Sequence, residues 1–175
     1  GPCLRSTGVP YDVRKAHPYM KYGEVEFDVP VGQKSDSFDR FMVRIEEIKQ
    51  SARIIEQSVE RLAVSGPINV DDPGVVLPPK EDVYTTIEGT IQHFKIVMEG
   101  LKLPAGEVYA YTEGGNGELG FYLVSDGRGT PYRVGIRPPC YYVTGGLERV
   151  ITGAMVAEGV PSFGSLDMIG GECDR

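Results

Sequence analysis

With 175 residues, 41% of them hydrophobic and 25% charged, the chain is long enough for one domain, or one and a half, with an ordinary core. A formal net charge of −7 argues against a nucleic-acid surface, which needs a clustered positive field. No apolar run approaches the length of about eighteen residues that a transmembrane helix requires, and the three scattered cysteines, Cys3, Cys140 and Cys173, argue against a disulfide framework and for a reducing compartment.

The start, Gly1-Pro2-Cys3-Leu4-Arg5, has no charged leader followed by an apolar stretch. No signal peptide is expected, and a start at Gly-Pro instead of Met suits a chain that is processed, tagged or cut from a longer parent. Residues 1–34 are dense in turn signals, among them Gly8, Pro10, Pro18 and Gly32. Between these, Glu24-Val25-Glu26-Phe27-Asp28-Val29 alternates polar and apolar residues, which predicts a short half-buried strand. Asp36 or Ser37 can cap the long helix that follows, and Asp39 suits its first turn. Phe38, Phe41, Ile45, Ile48, Ala52, Ile55, Val59 and Leu62 recur at helical spacing, so they are expected to form the buried stripe, and Gly66-Pro67 stops the helix. Its polar side, with Arg40, Arg44, Glu46, Glu47, Lys49, Gln50 and Arg53, reads equally as a solvated face or a docking face.

A Pro- and Asp-rich linker over 67–79 leads to a second predicted helix over 81–100, with Val83, Ile87, Ile91, Phe94, Met98 and Leu101 on one side. Two long helices joined by one linker are expected to pack antiparallel. An antiparallel β meander follows. Val108 to Tyr111 alternates, Gly114-Gly115-Asn116-Gly117 turns, Leu119, Phe121 and Leu123 share a face, Asp126-Gly127 turns again, and Tyr132, Val134 and Ile136 form a third strand that Pro138-Pro139 ends. A last helix is predicted over 146–158. The fold class is therefore mainly α (α+β), in a single domain over 1–175.

Gly115-Asn116-Gly117-Glu118-Leu119-Gly120 matches a dinucleotide-binding pattern, but that motif needs a helix after it, and here a strand follows, so it reads as a hairpin turn. His17 and His93 have no helical ligand partner, and no C-x-x-C pair exists; Cys140 reads as a small buried residue. The tail is different. Phe163-Gly164-Ser165-Leu166-Asp167-Met168-Ile169 is apolar enough to be buried, and Gly171-Glu172-Cys173-Asp174-Arg175 crowds two carboxylates and a guanidinium behind it. Charges inserted into an interior or an interface must be paired or do chemistry. The sequence yields no self-sufficient active site: no nucleophile–base pair, metal cage or phosphate cradle is visible.

Several ordered stretches carry a family resemblance. They are Gly1-Pro2-Cys3-Leu4-Arg5-Ser6-Thr7-Gly8, Asp12-Val13-Arg14-Lys15-Ala16-His17-Pro18-Tyr19, Phe27-Asp28-Val29-Pro30-Val31-Gly32, Asp39-Arg40 and Arg44-Ile45-Glu46-Glu47. Gly117-Glu118-Leu119-Gly120, Val124-Ser125-Asp126-Gly127, Pro131-Tyr132-Arg133, Ile136-Arg137-Pro138-Pro139 and Gly171-Glu172-Cys173-Asp174-Arg175 complete the set. Together they resemble the C-terminal part of the 49-kDa (D-type) subunit of the proton-pumping NADH–quinone oxidoreductase, respiratory complex I.

The resemblance implies a fold shared with the large subunit of nickel–iron hydrogenases, without the C-x-x-C metal ligands of those enzymes. It implies an oxidoreductase and translocase that passes electrons from NADH through FMN and Fe–S clusters on partner subunits to quinone. Within it, this chain would form a wall of the quinone site and an interface to other subunits, especially the small subunit with the terminal Fe–S cluster. Cys173 and Asp174 map to the cavity wall, with Glu172 and Arg175 organising it; the family usually has valine at the place of Cys173. No metal and no catalytic residue is assigned to this chain, and the headgroup-binding histidine and tyrosine fall outside 1–175. The family's Phe-Ala-His-Leu run after Arg137-Pro138-Pro139 and its Gly-His-Met run are replaced here by Tyr141-Tyr142-Val143-Thr144 and Gly153-Ala154-Met155. The implied location is peripheral, on the cytoplasmic side of a bacterial membrane or the matrix side of the mitochondrial inner membrane, with membrane contact only through partner subunits. The alternatives are a structural scaffold fragment and a nickel–iron hydrogenase-type large subunit.

Overall fold

In the computed structural model of the protein, residues 1–62 and 65–174 are described. The helices are α1 (Pro2–Arg5), α2 (Val13–Ala16), α3 (Ser37–Glu60), α4 (Lys80–Thr85), α5 (Ile87–Phe94), α6 (Pro139–Gly145), α7 (Leu147–Ile151), α8 (Gly159–Leu166) and α9 (Gly170–Cys173); the strands are β1 (Gly106–Gly114), β2 (Gly117–Ser125) and β3 (Arg133–Arg137). The strands form one sheet in the order β1-β2-β3. Connections this short can join only antiparallel neighbours, since a parallel crossover needs a dozen or more residues. The fold is thus mixed helix with a small antiparallel sheet, and the Gly-rich pattern falls on the β1–β2 turn and β2 itself. The described residues group into two compact units, one drawn from Gly1–Leu62, Ala110–Gly120 and Ile136–Arg175, the other from Ala63–Tyr109 and Phe121–Gly135.

In the first unit, α3 is the principal helix, and Asp36 caps it by accepting from Asp39 N at 2.8 Å. Its orientation reverses the sequence expectation. Phe38, Phe41, Ile48, Ile55, Val59 and Leu62 are all exposed, Phe38 at 68%, while Arg40 and Val43 are the buried positions. The inward face is polar because the segments against it have backbone groups to satisfy. Residues 25–29 have the alternating burial expected of a strand, with Val25 and Phe27 inside, but they form none. Instead, Gln57 Oε1 accepts from Glu26 N at 2.9 Å and Gln50 Oε1 accepts from Asp28 N at 3.0 Å, while Arg61 donates to Glu24 O. Side chains from successive turns of the helix replace a neighbouring strand.

Among the described residues the core includes Val13, Val25, Phe27, Val43, Cys140 and Leu166, with Pro2 and Pro139 also buried, and Arg5, Ser6, Asp12, Arg40, Asn116 and Ser162 are buried among them. Of the predicted buried segment 163–169, only Leu166 is fully inside; Phe163 and Ile169 are exposed. Leu166 and Ser162, one turn apart on α8, form its inward edge, and α8 packs on α3. The predicted helix over 146–158 is also divided. α7 ends at Ile151, and Gly153 adopts φ +86. Pro139, at the first position of α6, starts a helix as well as ending the strand.

In the second unit, the predicted helix over 81–100 breaks at Thr86, whose backbone is extended (φ −122, ψ 145). The Thr86 hydroxyl accepts from Gly89 N at 3.1 Å, which caps α5, and donates to Asp82 O at 2.8 Å. Threonine hydroxyls that bond nearby backbone compete with a continuous helix. The reversal also needs glycine at 89, where a Cβ would lie 2.5 Å from Asp82 O. After α5 the chain continues as a π-helical turn, Lys95–Glu99, and Gly100 ends it at φ +72. Ile87, Ile91, Phe94 and Met98 are exposed. No helix of the described residues is long and apolar enough to cross a membrane.

Candidate functional site at the C-terminal segment

The C-terminal segment of the first unit is positioned by a corner. α8 ends where Asp167 enters the left-handed region (φ 55, ψ 47), which aspartate tolerates better than most non-glycine residues. Two arginines of α3 hold the approach to it. Arg44 donates to Ser165 O at 2.8 Å and to Arg40 O at 3.0 Å, and its Nε lies 3.9 Å from the Asp167 carboxylate. Arg40, itself buried, donates to Ser165 Oγ at 2.9 Å, Ser35 O at 2.7 Å and Ser37 Oγ at 3.1 Å.

Beyond the corner the chain gathers around Cys140. Asn116, at the tip of the β1–β2 hairpin, donates from Nδ2 to Asp167 O at 2.9 Å and to Cys140 Sγ at 3.1 Å. Ile169 N donates to the same sulfur at 3.4 Å. The Glu172 carboxylate accepts from Cys140 N at 3.1 Å. Burial pushes the Cys140 thiol above its ordinary pKa, and the adjacent Glu172 adds to the rise, so the sulfur stays protonated at neutral pH.

Of the residues read from the sequence as the cavity wall, Glu172 and Cys173 are half-buried and Asp174 is exposed within this chain. Cys173 Sγ lies 3.7 Å from Thr144 Oγ1 on α6, and its thiol reaches Ile169 O at 3.8 Å. Arg175 lies outside the described residues. The structure therefore brings Glu172 and Cys173 of α9 together against α6, while Asp174 does not enter the interior of this chain. Asn116, Arg40, Arg44 and Asp167 were not singled out for the site by sequence reasoning. Asp167 precedes an apolar pair, and no local pattern marks it as a corner. Asn116 between glycines signalled a turn and nothing more.

A second polar cluster in the same unit centres on Arg5, which is only 2% exposed. It donates to Glu47 at 2.6 Å, Glu113 at 2.8 Å and Tyr11 O at 3.0 Å, and lies 3.8 Å from Asp12. Glu113 also accepts from Val13 N at 3.1 Å. Burial works against the Arg5 charge, but the two glutamates outweigh it and hold its pKa above the ordinary value. Burial likewise acts to raise the Asp12 carboxyl, yet Arg14, bonded to it at 2.7 Å, draws it below the usual carboxylate range. His17 packs edge-on against Tyr111, with ring centroids 5.7 Å apart.

The sequence model of one protein family, described as the 49-kDa subunit of respiratory-chain NADH dehydrogenase, matches residues 1–175. The chain belongs to this family. Among curated relatives, a D-type NADH-quinone oxidoreductase subunit of Sorangium cellulosum is 70% identical over all of this chain and 43% of its own length. The D-type subunit of Myxococcus xanthus is 52% identical over all of this chain and 42% of its own. The C/D-type subunit of Bdellovibrio bacteriovorus is 50% identical, again over the whole chain, which covers 31% of that relative. The chain thus spans less than half the length of these members of the 49-kDa-subunit family.

Proposed function

We propose that this chain is the part of an NADH–quinone oxidoreductase 49-kDa subunit that forms one wall of the quinone site and an interface to neighbouring subunits. The observation that carries this reading is the family match from end to end, together with 70% identity to a relative named for that activity. In the assembled enzyme, electrons from NADH pass through FMN and Fe–S clusters on partner subunits to quinone, coupled to proton translocation. The chain itself supplies packing surface and hydrogen-bonding groups at the headgroup end. Cys173 and Asp174 contribute those groups, with Glu172 and Arg175 in the role of organising the wall. Residues 1–175 act as one domain of a hydrogenase-like subunit that is peripheral to the membrane, on its cytoplasmic or matrix side.

Two features support this reading. The tail is tethered to α6 through Glu172 and Cys173, so it presents a defined surface. The exposed stripe of α3, including Phe41, Ile48, Ile55 and Val59, is the apolar face an interface requires. Contact with the small subunit that carries the terminal Fe–S cluster is part of the same proposal. A scaffold role without quinone contact is favoured by one observation, the exposure of Asp174. Photoaffinity labelling of the assembled membrane complex with a quinone analogue separates the two. Labelled peptide from residues 167–175 supports the wall; labelling elsewhere only supports the scaffold. Exchanging Asp174→Asn in the complex is expected to change quinone reduction or inhibitor sensitivity, and unchanged turnover and inhibitor binding would reject its role.

A further inference from the structure

We propose that Asn116 is a positioning residue for the quinone-site wall: from the tip of the β1–β2 hairpin it pins the Asp167–Cys173 segment to α6. The inference rests on the reading of this segment as part of the quinone site.

The geometry is specific to the asparagine side chain. One amide nitrogen spans two elements that are distant in sequence, donating to Asp167 O at 2.9 Å and Cys140 Sγ at 3.1 Å. Its reach depends on the turn, because Gly117 adopts φ +132, a conformation a side-chain-bearing residue adopts only under strain. The sulfur then serves as a shared acceptor. Ile169 N donates to it as well, at 3.4 Å. The backbone of the same cysteine closes the loop by donating to Glu172 at 3.1 Å. Asp167, Ile169 and Glu172 are thus all tied to the Asn116–Cys140 pair. Asn116 is buried and its Oδ1 has no hydrogen-bond partner among the described residues. An unpaired buried acceptor is unfavourable, so the side chain is held by what its N–H group does and not by full satisfaction of the amide. The segment lies directly before Asp174. Loosening such a wall removes contacts made equally with bound quinone and with the transition state, which raises KM and leaves kcat.

The test uses the assembled complex in membranes, with decylubiquinone as acceptor and NADH–ferricyanide activity as the control for assembly and the upstream electron path. Amide hydrogen exchange is followed in the peptide covering 166–173. Asn116→Ala, which loses both bonds of the amide, is expected to speed that exchange at least about fivefold, the scale of a single hydrogen bond. It is also expected to raise the KM for decylubiquinone while kcat and the ferricyanide rate hold. Cys140→Ala shifts both readouts in the same direction, and Cys140→Ser, which keeps an acceptor at the hub, shifts them less. Unchanged exchange in Asn116→Ala overturns the pinning, whatever the outcome of photoaffinity labelling. Faster exchange with an unchanged KM shows a pinned segment with no part in quinone binding and overturns the positioning role. If labelling of 167–175 also fails, the quinone-wall reading falls with it. Should Asn116→Ala fail to assemble, Asn116→Ser takes its place, a turn-former whose hydroxyl is too short to span both acceptors: faster exchange of 166–173 with a raised KM upholds the proposal, and unchanged exchange overturns it.

Discussion

Gln57 brackets Glu26 from both sides: its Oε1 accepts from Glu26 N at 2.9 Å and its Nε2 donates to Glu26 O at 2.7 Å. A side-chain amide thereby takes the place a neighbouring strand would fill, giving residues 25–29 the burial of a strand without a ladder. The same pairing turns the polar face of α3 inward and leaves its apolar stripe outside.

Gln57→Leu should therefore free residues 25–29 locally without unfolding α3. Both bonds are solvent-exposed, so the loss is about 1 kcal/mol, or roughly a fivefold rise in exchange of the Glu26 amide. Amide exchange in the intact protein checks it. Unchanged protection of Glu26 would show that the buried Val25 and Phe27 side chains hold the segment unaided.

The start of α3 and the β meander were legible because each is written in local terms, whereas the helix ends at Glu60, short of the Gly66-Pro67 stop. Asp36 caps the helix at the expected place, and glycine and asparagine stand where the hairpin turns. Which face of α3 points inward was not legible. Amphipathicity indicates a partner for the apolar side, but it does not say whether that partner lies within residues 1–175. The break at Thr86 was hidden because apolar spacing continues across it, and only the threonine hydroxyls and the need for glycine at 89 reveal the reversal. At the tail, Glu172 and Cys173 could be named from a resemblance. Their anchors, Asn116 and Cys140, could not, since they are 56 and 32 residues from Glu172 in sequence, as their numbering shows. Pairing over such separations leaves no periodic trace.

Arg5→Met is expected to be severely destabilising. It leaves Glu113, only 4% exposed, and Glu47 without their cation, and removing one partner of a buried pair costs about 3–5 kcal/mol. Adding Glu113→Gln should recover part of the loss, because a neutral amide can stay buried near Val13 N with less desolvation. Thermal inactivation of the assembled enzyme compares the single and double variants. A double variant as unstable as Arg5→Met alone would mean that packing of the long arginine stem, not charge compensation, is what the site needs.

Asp12 gives the fold an acid limit of defined sign. Its folded pKa lies below the unfolded value of about 3.9. The unfolded chain therefore binds more protons between the two values, and stability rises with pH across that window. The Asp12 contribution is fully present above the unfolded pKa and is lost as pH falls through the folded one. Asp12→Asn keeps an acceptor to cap α2 through Arg14 N while removing the titration. The variant should be less stable at neutral pH and show a shallower loss of stability on acidification below about pH 4. An unchanged acid slope would place the responsible carboxylate elsewhere.

The outward stripe of α3 separates folding from assembly. Ile48 and Ile55 are 65% and 62% exposed, so a charge at either position removes little buried area from this chain. Surface substitutions of this kind usually change stability by less than about 0.5 kcal/mol. If the stripe is an interface, Ile48→Glu and Ile55→Glu together should prevent stable incorporation, because two charges would be buried without partners at an apolar contact. Co-purification with the other subunits, measured beside the secondary-structure content of the variant chain, reads both effects. The expected outcome is a folded chain that no longer co-purifies. Full incorporation would show that the stripe faces water in the complex, and the interface would then have to be sought on the exposed Ile87, Ile91 and Phe94 of the second unit.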